Sequence, residues 1–266
     1  MIIKNTDMHL HTVYSDGTAD VTELLKELRS QNIETFSVTD HDTVEFYEKL
    51  DYSLLGNLKL IAGIEFSCIT PFGKCHILGY GMDIKNKIFQ KAITDGQTIR
   101  KNKLLSRLGY LEKEYNIIFT DVEKHRLLSL KTAGKPHIAG ILVEKGLAEN
   151  VSDAIKKYMS ALPKENDRLP AEVAICAVES AGGVPVWAHP LGGEGERRLS
   201  ENEFSDRLEY LINCGVRGLE CYYSRYNGED ISFLLNKAKE YGLCVSGGSD
   251  YHGTVKDIRI GTLSAD

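Results

Sequence analysis

The stretch DMHLHTVYSDG, residues 7–17, decides how the rest of the sequence is interpreted. Its two histidines, His9 and His11, are separated by a single residue, and Asp16 follows closely. In an extended segment residues i and i+2 project to the same side, so both imidazoles can face one ion. Taken alone, the stretch could also be a polar surface turn, since SDG is a common turn sequence. It therefore predicts either a loop or one corner of a metal site whose other ligands lie elsewhere in the chain.

Apolar runs typical of strands alternate with segments of helical periodicity on both sides of the middle of the chain. After Asp20, a capping residue type, Val21, Leu24, Leu25 and Leu28 fall on one helix face. Such alternation favours parallel strands joined by crossover helices, closed or nearly closed as a barrel. The strand-like runs that follow the first are TFSVTDHD, LKLIAGIEFSCI, KCHILGYG, VPVWAHP, VRGLECYY and LCVSGGSDYH.

The middle of the chain has a different pattern. Residues 86–168 are rich in charged residues and helix formers, with little strand pattern beyond YNIIFT. We interpret them as a mainly helical insertion, or cap domain. The predicted α/β barrel then has a first part at residues 1–85 and a second part at residues 169–266.

Composition limits the classes of partner. The 266 residues carry a net charge of -6, which argues against a broad grip on long nucleic acid but not against a small anionic substrate. No apolar run of about eighteen residues occurs, so no membrane span is expected. The beginning of the sequence lacks the apolar core of a signal peptide. Six scattered cysteines are typical of reduced thiols, and we expect a cytoplasmic protein. The oligomeric state stays open.

Histidines and acids recur where the predicted strands end, and in a βα barrel those ends meet at one mouth. Any one of them could be a structural residue, but the joint pattern favours a site. Imidazole with carboxylate suits Zn, Mn or Fe, and the ligands exceed what one ion needs. We therefore expect two or three divalent ions, with Glu65 as the natural bridge. The candidates are His9, His11, Asp16, Asp40, His41, Glu65, His76, His189, Asp250 and His252. His125 fits no part of this pattern.

These motifs resemble, in order, those of the PHP (polymerase and histidinol phosphatase) family. The matching segments, within residues 1–85 and 170–266, are DMHLHTVYSDG, VTDHD, GIEFS, CHILGYG, WAHP and GGSDYH. The resemblance implies a distorted seven-stranded (β/α)7 barrel. The helical insertion and GKPHIA look like the stand-alone phosphoesterases of the family that act on nucleotides or short oligonucleotides. The expected substrate is therefore a small phosphorylated molecule.

The resemblance also implies a division of the ligands among three ions. Asp7 and Asp40 look like outer groups that orient histidines, and Asp40 is included with the catalytic candidates. The first ion would be held by His9, His11, Glu65 and Asp250, the second by Glu65, His76 and His189, and the third by Asp16, His41 and His252.

Four residues are predicted to hold the substrate: Arg100, Lys135, His137 and Arg225. Lys135 stands where this subgroup usually has Arg, and lysine cannot form the bidentate fork of arginine. The sequence shows no G-x-S-x-G elbow and no Walker-type loop. We therefore expect hydrolysis of a phosphate ester, in a 5′-mononucleotide, a 3′,5′-bisphosphate or a short oligonucleotide, by water that a metal activates.

Several alternatives remain. A histidinol-phosphate phosphatase would share the metal motifs, although the helical insertion disfavours it. A 5′ exonuclease acting on short RNA or DNA would differ in substrate length and not in chemistry. An amidohydrolase would normally add a carbamylated lysine on a mid-barrel strand, and no such Lys stands out. A binding module that keeps metals only for stability would bind metal without hydrolysis.

Overall fold

The computed structural model describes residues 5–130, 132–162, 168–193 and 196–261. Within those ranges the strands are β1 (Thr6–Leu10), β2 (Thr35–Val38), β3 (Lys59–Leu60), β4 (Gly63–Thr70), β5 (Gly73–Tyr80), β6 (Leu169–Pro170), β7 (Val184–Trp187), β8 (Gly218–Tyr223) and β9 (Cys244–Gly248). The α-helices are α1 (Val21–Ser30), α2 (Glu45–Lys49), α3 (Lys87–Tyr115), α4 (Asp121–Ser129), α5 (Lys135–Glu144), α6 (Val151–Met159), α7 (Ala171–Ser180), α8 (Glu201–Asn213) and α9 (Gly228–Glu240).

The strands form two sheets. The first has the order β1-β2-β3 and the second the order β6-β4-β5-β7-β8-β9. Strand β5 runs antiparallel to both β4 and β7, whereas the other paired strands are parallel. The expectation of parallel strands throughout is therefore wrong at β5. The reason is local: Thr70 pairs with Gly73, and so short a loop can only join antiparallel neighbours.

Two isolated bridges connect the sheets. Leu10 at the end of β1 bridges to Tyr251, just after β9, and His41 after β2 bridges to Glu65 in β4. The described strands thus form a mixed α/β fold of two bridged sheets, and no closed seven-stranded barrel is found among them. The single strand expected over LKLIAGIEFSCI is divided into β3 and β4 by Ile61 and Ala62.

Helix α1 forms where the sequence pattern predicted a helix after Asp20. The Asp20 side chain accepts a hydrogen bond from the Glu23 backbone at 2.9 Å, and the Glu23 side chain accepts one from the Asp20 backbone at 3.0 Å. This reciprocal cap satisfies two free N–H groups at the helix start. Leu24 and Leu28 are then buried against the sheet core.

Helices α3 to α6 lie between Lys87 and Met159, and YNIIFT forms no strand. Helix α3 joins two hydrophobic cores. Its first half buries Phe89 and Ile93 in the main core, and its second half buries Leu104, Leu108 and Leu111 in a separate core with α5 and α6.

The cysteines and the helices bear on the expectations of reduced thiols and of no membrane span. All six cysteines are free. No helix in the described ranges has the length and apolar character needed to cross a bilayer.

Candidate metal centre

The carboxylate of Glu65, in β4, is the centre of a histidine cluster. Its Oε2 atom lies 3.2 Å from His9 Nε2, 3.1 Å from His11 Nε2 and 3.2 Å from His41 Nδ1. His9 lies in β1, His11 directly after it, and His41 after β2. Three imidazoles from two neighbouring strand ends therefore converge on one carboxylate oxygen.

The other oxygen of Glu65 faces a second pair of rings. Its Oε1 atom lies 2.8 Å from His76 Nδ1 and 3.1 Å from His189 Nε2. His76 belongs to β5 and His189 follows β7. Glu65 thus stands between two groups of imidazoles, as the sequence predicted for a bridging ligand.

Three ring nitrogens in this cluster have no hydrogen-bond partner although they are buried: His9 Nε2, His11 Nε2 and His41 Nδ1. A buried polar atom without a partner costs free energy. All three atoms face Glu65 Oε2, so a positive charge placed between them would satisfy nitrogen and oxygen together. The donor set of imidazole and carboxylate is that of Zn, Mn or Fe sites, and the residues present fit a divalent ion.

Two more carboxylates complete the cluster. Asp250 Oδ1 lies 3.3 Å from His11 Nε2, and Asp16 Oδ1 lies 3.2 Å from His252 Nε2. Three overlapping groups have ligand atoms close enough to hold an ion: His9, His11 and Asp250; His41, Glu65 and His76; and His11, Asp16, His41 and His252. The structure therefore brings together all nine residues predicted as metal ligands.

Electrostatics keep the three carboxylates ionised. Burial disfavours their charge, but the neighbouring histidines outweigh it and hold the pKa of Glu65, Asp16 and Asp250 well below the usual range. Burial lowers the pKa of both His41 and His76. These two rings are therefore neutral near pH 7, which is the form that binds metals.

In the absence of a metal ion, the pKa values of the two innermost histidines, His9 and His11, are raised instead of lowered. Burial opposes the charge on His11, but the carboxylates of Asp250 and Glu65, 3.3 and 3.1 Å from its Nε2, outweigh it and raise its pKa to about 9. The carboxylates of Glu220, Glu65 and Asp250 likewise overcome burial and raise the pKa of His9. A proton on these rings thus compensates the carboxylates, as a cation would.

Glu220, in β8, is a functional candidate that the sequence did not reveal. It is fully buried, its Oε1 lies 2.8 Å from His9 Nδ1, and its Oε2 accepts a hydrogen bond from the His189 backbone at 2.7 Å. An acid that holds the outer nitrogen of a ligand histidine orients the ring and raises its basicity. The available signal was an acid inside the apolar run GLECYY.

Asp250 has two further partners on its other oxygen. Tyr223 donates a hydrogen bond to Oδ2 at 3.0 Å, and Lys256 Nζ lies 2.7 Å from the same atom. Asp250 has a φ of 57° and His189 a φ of 28°. Non-glycine residues rarely adopt this left-handed region, and such strain is typical of functional sites.

Asp7 and Asp40, which the sequence analysis predicted to orient histidines, accept hydrogen bonds from the segments around the cluster. Asp40 accepts hydrogen bonds from the backbone and hydroxyl of Thr12 at 2.8 and 2.6 Å, and from Ser15. Asp7 accepts from the backbone of Ser249 at 2.9 Å and of Gly261 at 2.8 Å. Ser15 Oγ also lies 3.4 Å from His11 Nδ1, and Asp7 accepts a hydrogen bond from the His9 backbone at 3.3 Å. Among the described contacts, both acids therefore hold the segments that carry the histidines, and Asp40 reaches the His11 ring through Ser15.

The predicted substrate contacts lie in different environments. The Arg100 guanidinium pairs with Asp42 and donates to Ser67 Oγ at 2.6 Å. Burial lowers the pKa of His137, and its Nδ1 accepts a hydrogen bond from the Gly134 backbone at 3.0 Å.

The other two predicted contacts, Lys135 and Arg225, lie in the helical segment and in a loop. Lys135 Nζ lies 3.5 Å from the carbonyl oxygen of Met159 in α6, so its ammonium is directed toward the helical segment. Arg225 is exposed in the loop after β8, and His125, the histidine that fitted no pattern, is exposed in α4.

Comparisons with known proteins agree with this geometry. The family model described as PHP domain matches residues 7–169. The 5′-3′ exoribonuclease Rnm of Escherichia coli is 26% identical over 264 residues, covering 96% of this chain and 87% of that protein. A phosphoribosyl 1,2-cyclic phosphate 1,2-diphosphodiesterase of Eggerthella lenta is 26% identical, covering 93% and 94%.

Among solved structures, a protein of Bifidobacterium adolescentis described as a metal-dependent phosphoesterase superposes with a TM-score of 0.83. It is 28% identical and the match covers 98% of this chain and 92% of that chain. The superposition covers nearly the whole chain, while the substrates in the names of the two sequence relatives differ.

Proposed function

The chain belongs to the PHP domain family, and from that premise we propose that it is a metal-dependent phosphoesterase acting on nucleotides or short oligonucleotides. The observation that carries this proposal is the set of three buried, unpartnered imidazole nitrogens around Glu65 Oε2. The exoribonuclease and the cyclic phosphodiesterase among the relatives both act on phosphate esters of ribose compounds, which supports the substrate class.

We propose two or three divalent ions of Mn, Fe or Zn. Ions bound there would stabilise phosphoryl charge and lower the pKa of water toward neutrality. We propose the three ligand sets of the sequence prediction: His9, His11, Glu65 and Asp250; Glu65, His76 and His189; and Asp16, His41 and His252.

The chain's own residues define where the substrate enters. His9 and His11 are fully buried, whereas the side chains of Asp16, His41 and His76 are 28%, 12% and 15% exposed. The cluster is therefore open on the side of those three residues. The charge of Asp16 acts on both Arg100 and His137, and we propose these two residues as substrate contacts.

We also propose a domain division in which the cap at residues 86–168 interrupts a barrel formed by residues 1–85 and 169–266. The separate hydrophobic core of α3, α5 and α6 supports it. The bridges Leu10–Tyr251 and His41–Glu65 support a distorted ring of seven strands, β1-β2-β4-β5-β7-β8-β9. The free cysteines support a cytoplasmic location.

The function is tested by a substrate panel with each metal. Nucleoside 5′-monophosphates, 3′,5′-bisphosphates, short 5′-phosphorylated RNA and histidinol phosphate are each incubated with Mn, Fe or Zn, and phosphate or nucleotide release is measured. We expect release from one or more nucleotide substrates and none from histidinol phosphate. Metal binding without any release would instead support a non-catalytic module, and cleavage of histidinol phosphate alone would support the rival phosphatase.

The metal centre is tested by His9→Ala and Asp250→Ala. Each substitution removes a ligand and leaves the remaining charges uncompensated, so bound metal should fall and release should be nearly abolished. His125→Ala is the matched control, since this histidine is exposed in α4, and it should keep metal and activity. Unchanged activity in either ligand variant would refute the assignment.

A further inference from the structure

Arg168, directly before β6, lies against one of the proposed metal ligands. Its Nη1 atom is 2.9 Å from His76 Nε2. On the opposite side of the ring, His76 Nδ1 lies 2.8 Å from Glu65 Oε1 and 3.2 Å from His189 Nε2. The His76 ring therefore stands between an arginine and the histidine cluster.

The His76 ring cannot accept a hydrogen bond from Arg168 and bind a metal through Nδ1 at the same time. A guanidinium can only donate, so His76 Nε2 accepts from Arg168, and a neutral imidazole then carries its hydrogen on Nδ1. A nitrogen that binds a metal carries no hydrogen. Ligation through Nδ1 would move the hydrogen to Nε2, which could no longer accept from Arg168. The contact with Arg168 and ligation through Nδ1 therefore exclude each other.

Arg168 has an alternative environment beside it. A cavity of about 80 Å³ is lined by Arg168, Arg100, Ser67 and Asp42, and by Gly134 at the start of α5. Since about 10–15 Å³ of cavity volume holds one water, the cavity has room for a compact anion such as a phosphoryl group. Among its described lining residues, the cations are Arg100, Lys103, Arg107 and Arg168, and the one acid is Asp42.

We infer that Arg168 couples metal binding at His76 to the binding of an anionic group in this cavity. An anion there attracts the guanidinium away from His76 and leaves the ring available as a ligand. Ligation of His76 in turn releases Arg168 toward the anion. Because coupling between two sites is reciprocal, each event favours the other.

The identity of the anion rests on the proposed function. It would be a phosphoryl group of the substrate other than the one that is cleaved. Either the second phosphate of a nucleoside bisphosphate or the next phosphodiester of an oligonucleotide supplies this chemistry. Arg168 would thus favour substrates with two phosphoryl groups over those with one.

The first test measures Mn²⁺ binding by equilibrium dialysis in the absence of phosphate. Arg168→Met removes the donor. The most weakly bound Mn²⁺ ion should then bind at least about fivefold tighter than in the wild type, which is the lower end of typical coupling between two sites. Arg107→Met removes a cation from the same cavity and reports the general electrostatic effect, which should be smaller. An unchanged affinity in Arg168→Met, or an equal gain in Arg107→Met, would overturn the inference.

Arg168→Lys keeps a donor and should bind Mn²⁺ like the wild type. It also serves if Arg168→Met fails to fold, which thermal unfolding would reveal. In that case inorganic phosphate is the probe: the gain in Mn²⁺ affinity on adding phosphate should be smaller in Arg168→Lys than in the wild type, because lysine cannot grip phosphate bidentately. An equal gain would count against the coupling.

The second test compares KM values. Arg168→Met should raise KM for a nucleoside 3′,5′-bisphosphate, a 5′-phosphorylated dinucleotide or both, and should leave KM for the 5′-monophosphate unchanged. A rise for one of the two identifies the source of the anion, and an equal rise for the monophosphate would contradict the inference. If none of the substrates is hydrolysed, the proposed function is refuted. The inference about Arg168 is then still decided by the Mn²⁺ binding measurement, which needs no turnover.

Discussion

At the scale of single residues, the site depends on how charges are compensated around His9 and His11. Both rings are buried among Glu65 and Asp250, and Glu220 lies behind His9. Buried carboxylates require a positive partner. Protons can supply it when no ion is bound, and a divalent cation supplies it otherwise, so the centre is arranged for exchange between the two.

Glu220→Gln isolates the contribution of the outer carboxylate. The amide keeps the shape of the side chain but removes the charge that orients His9 and raises its basicity. Metal affinity should fall about 10- to 100-fold, the usual cost of losing such a partner, as measured by equilibrium dialysis. Glu229→Gln, exposed in the first turn of α9, should bind metal like the wild type. An unaltered affinity in Glu220→Gln would show that Glu220 is only structural.

At the scale of secondary-structure elements, β9 must pack very closely against β1. A Cβ atom added at Gly248 would lie 2.2 Å from the Cβ of His9 and 2.4 Å from its backbone nitrogen. Only glycine allows this approach. The close contact fixes His9 relative to Asp250, which follows two residues after Gly248.

Gly248→Ala should therefore destabilise the fold and disturb the centre. Overpacking of this kind costs about 1–3 kcal/mol, and the shift of His9 should weaken metal binding as well. Gly109→Ala is the control, because no atom lies within 4 Å of the added Cβ in α3, and it should stabilise by about 0.5–1 kcal/mol. Urea unfolding of both variants gives the comparison. Equal stabilities would contradict the packing argument.

The elements also show what the sequence could and could not predict. The candidate ligands that follow strands, such as His11 and Asp250, could be predicted because strand ends are readable from apolar runs. The strand β5 was predicted but its antiparallel direction was missed, because apolar periodicity does not report strand direction. The turn at Pro71 and Phe72 also carries no glycine-rich hairpin signal. Glu220 and Arg168 were missed because each acts through a contact more than 90 residues away in the chain.

At the scale of the whole molecule, the proposed metal centre joins the two sheets. Its candidate ligands come from β1, β4 and β5 and from the segments after β1, β2, β7 and β9, so the cluster is held by strands of both sheets. Compensation of charge at this junction therefore contributes to the stability of the entire fold, and metal bound only to the folded state adds to it.

This junction gives the stability of the chain a specific dependence on pH. The pKa of His11 rises from 6.5 to about 9 on folding. Its proton therefore stabilises the metal-free fold fully below pH 6.5, and that contribution is lost as pH rises through 9. At about 1.4 kcal/mol per pKa unit, the loss is on the order of 3 kcal/mol. Metal competes with the same proton, so metal affinity should increase over this window.

Urea unfolding at pH 6, 7.5 and 9 tests this, with EDTA in one series and Mn²⁺ in the other. The free energy of unfolding should decrease with pH in EDTA, and the difference between the two series should widen. His11→Gln should flatten the EDTA series, because glutamine has no proton to lose there. If the protein in EDTA were as stable at pH 9 as at pH 6, protonated His11 would not be the substitute for metal, and the compensation argument would be wrong.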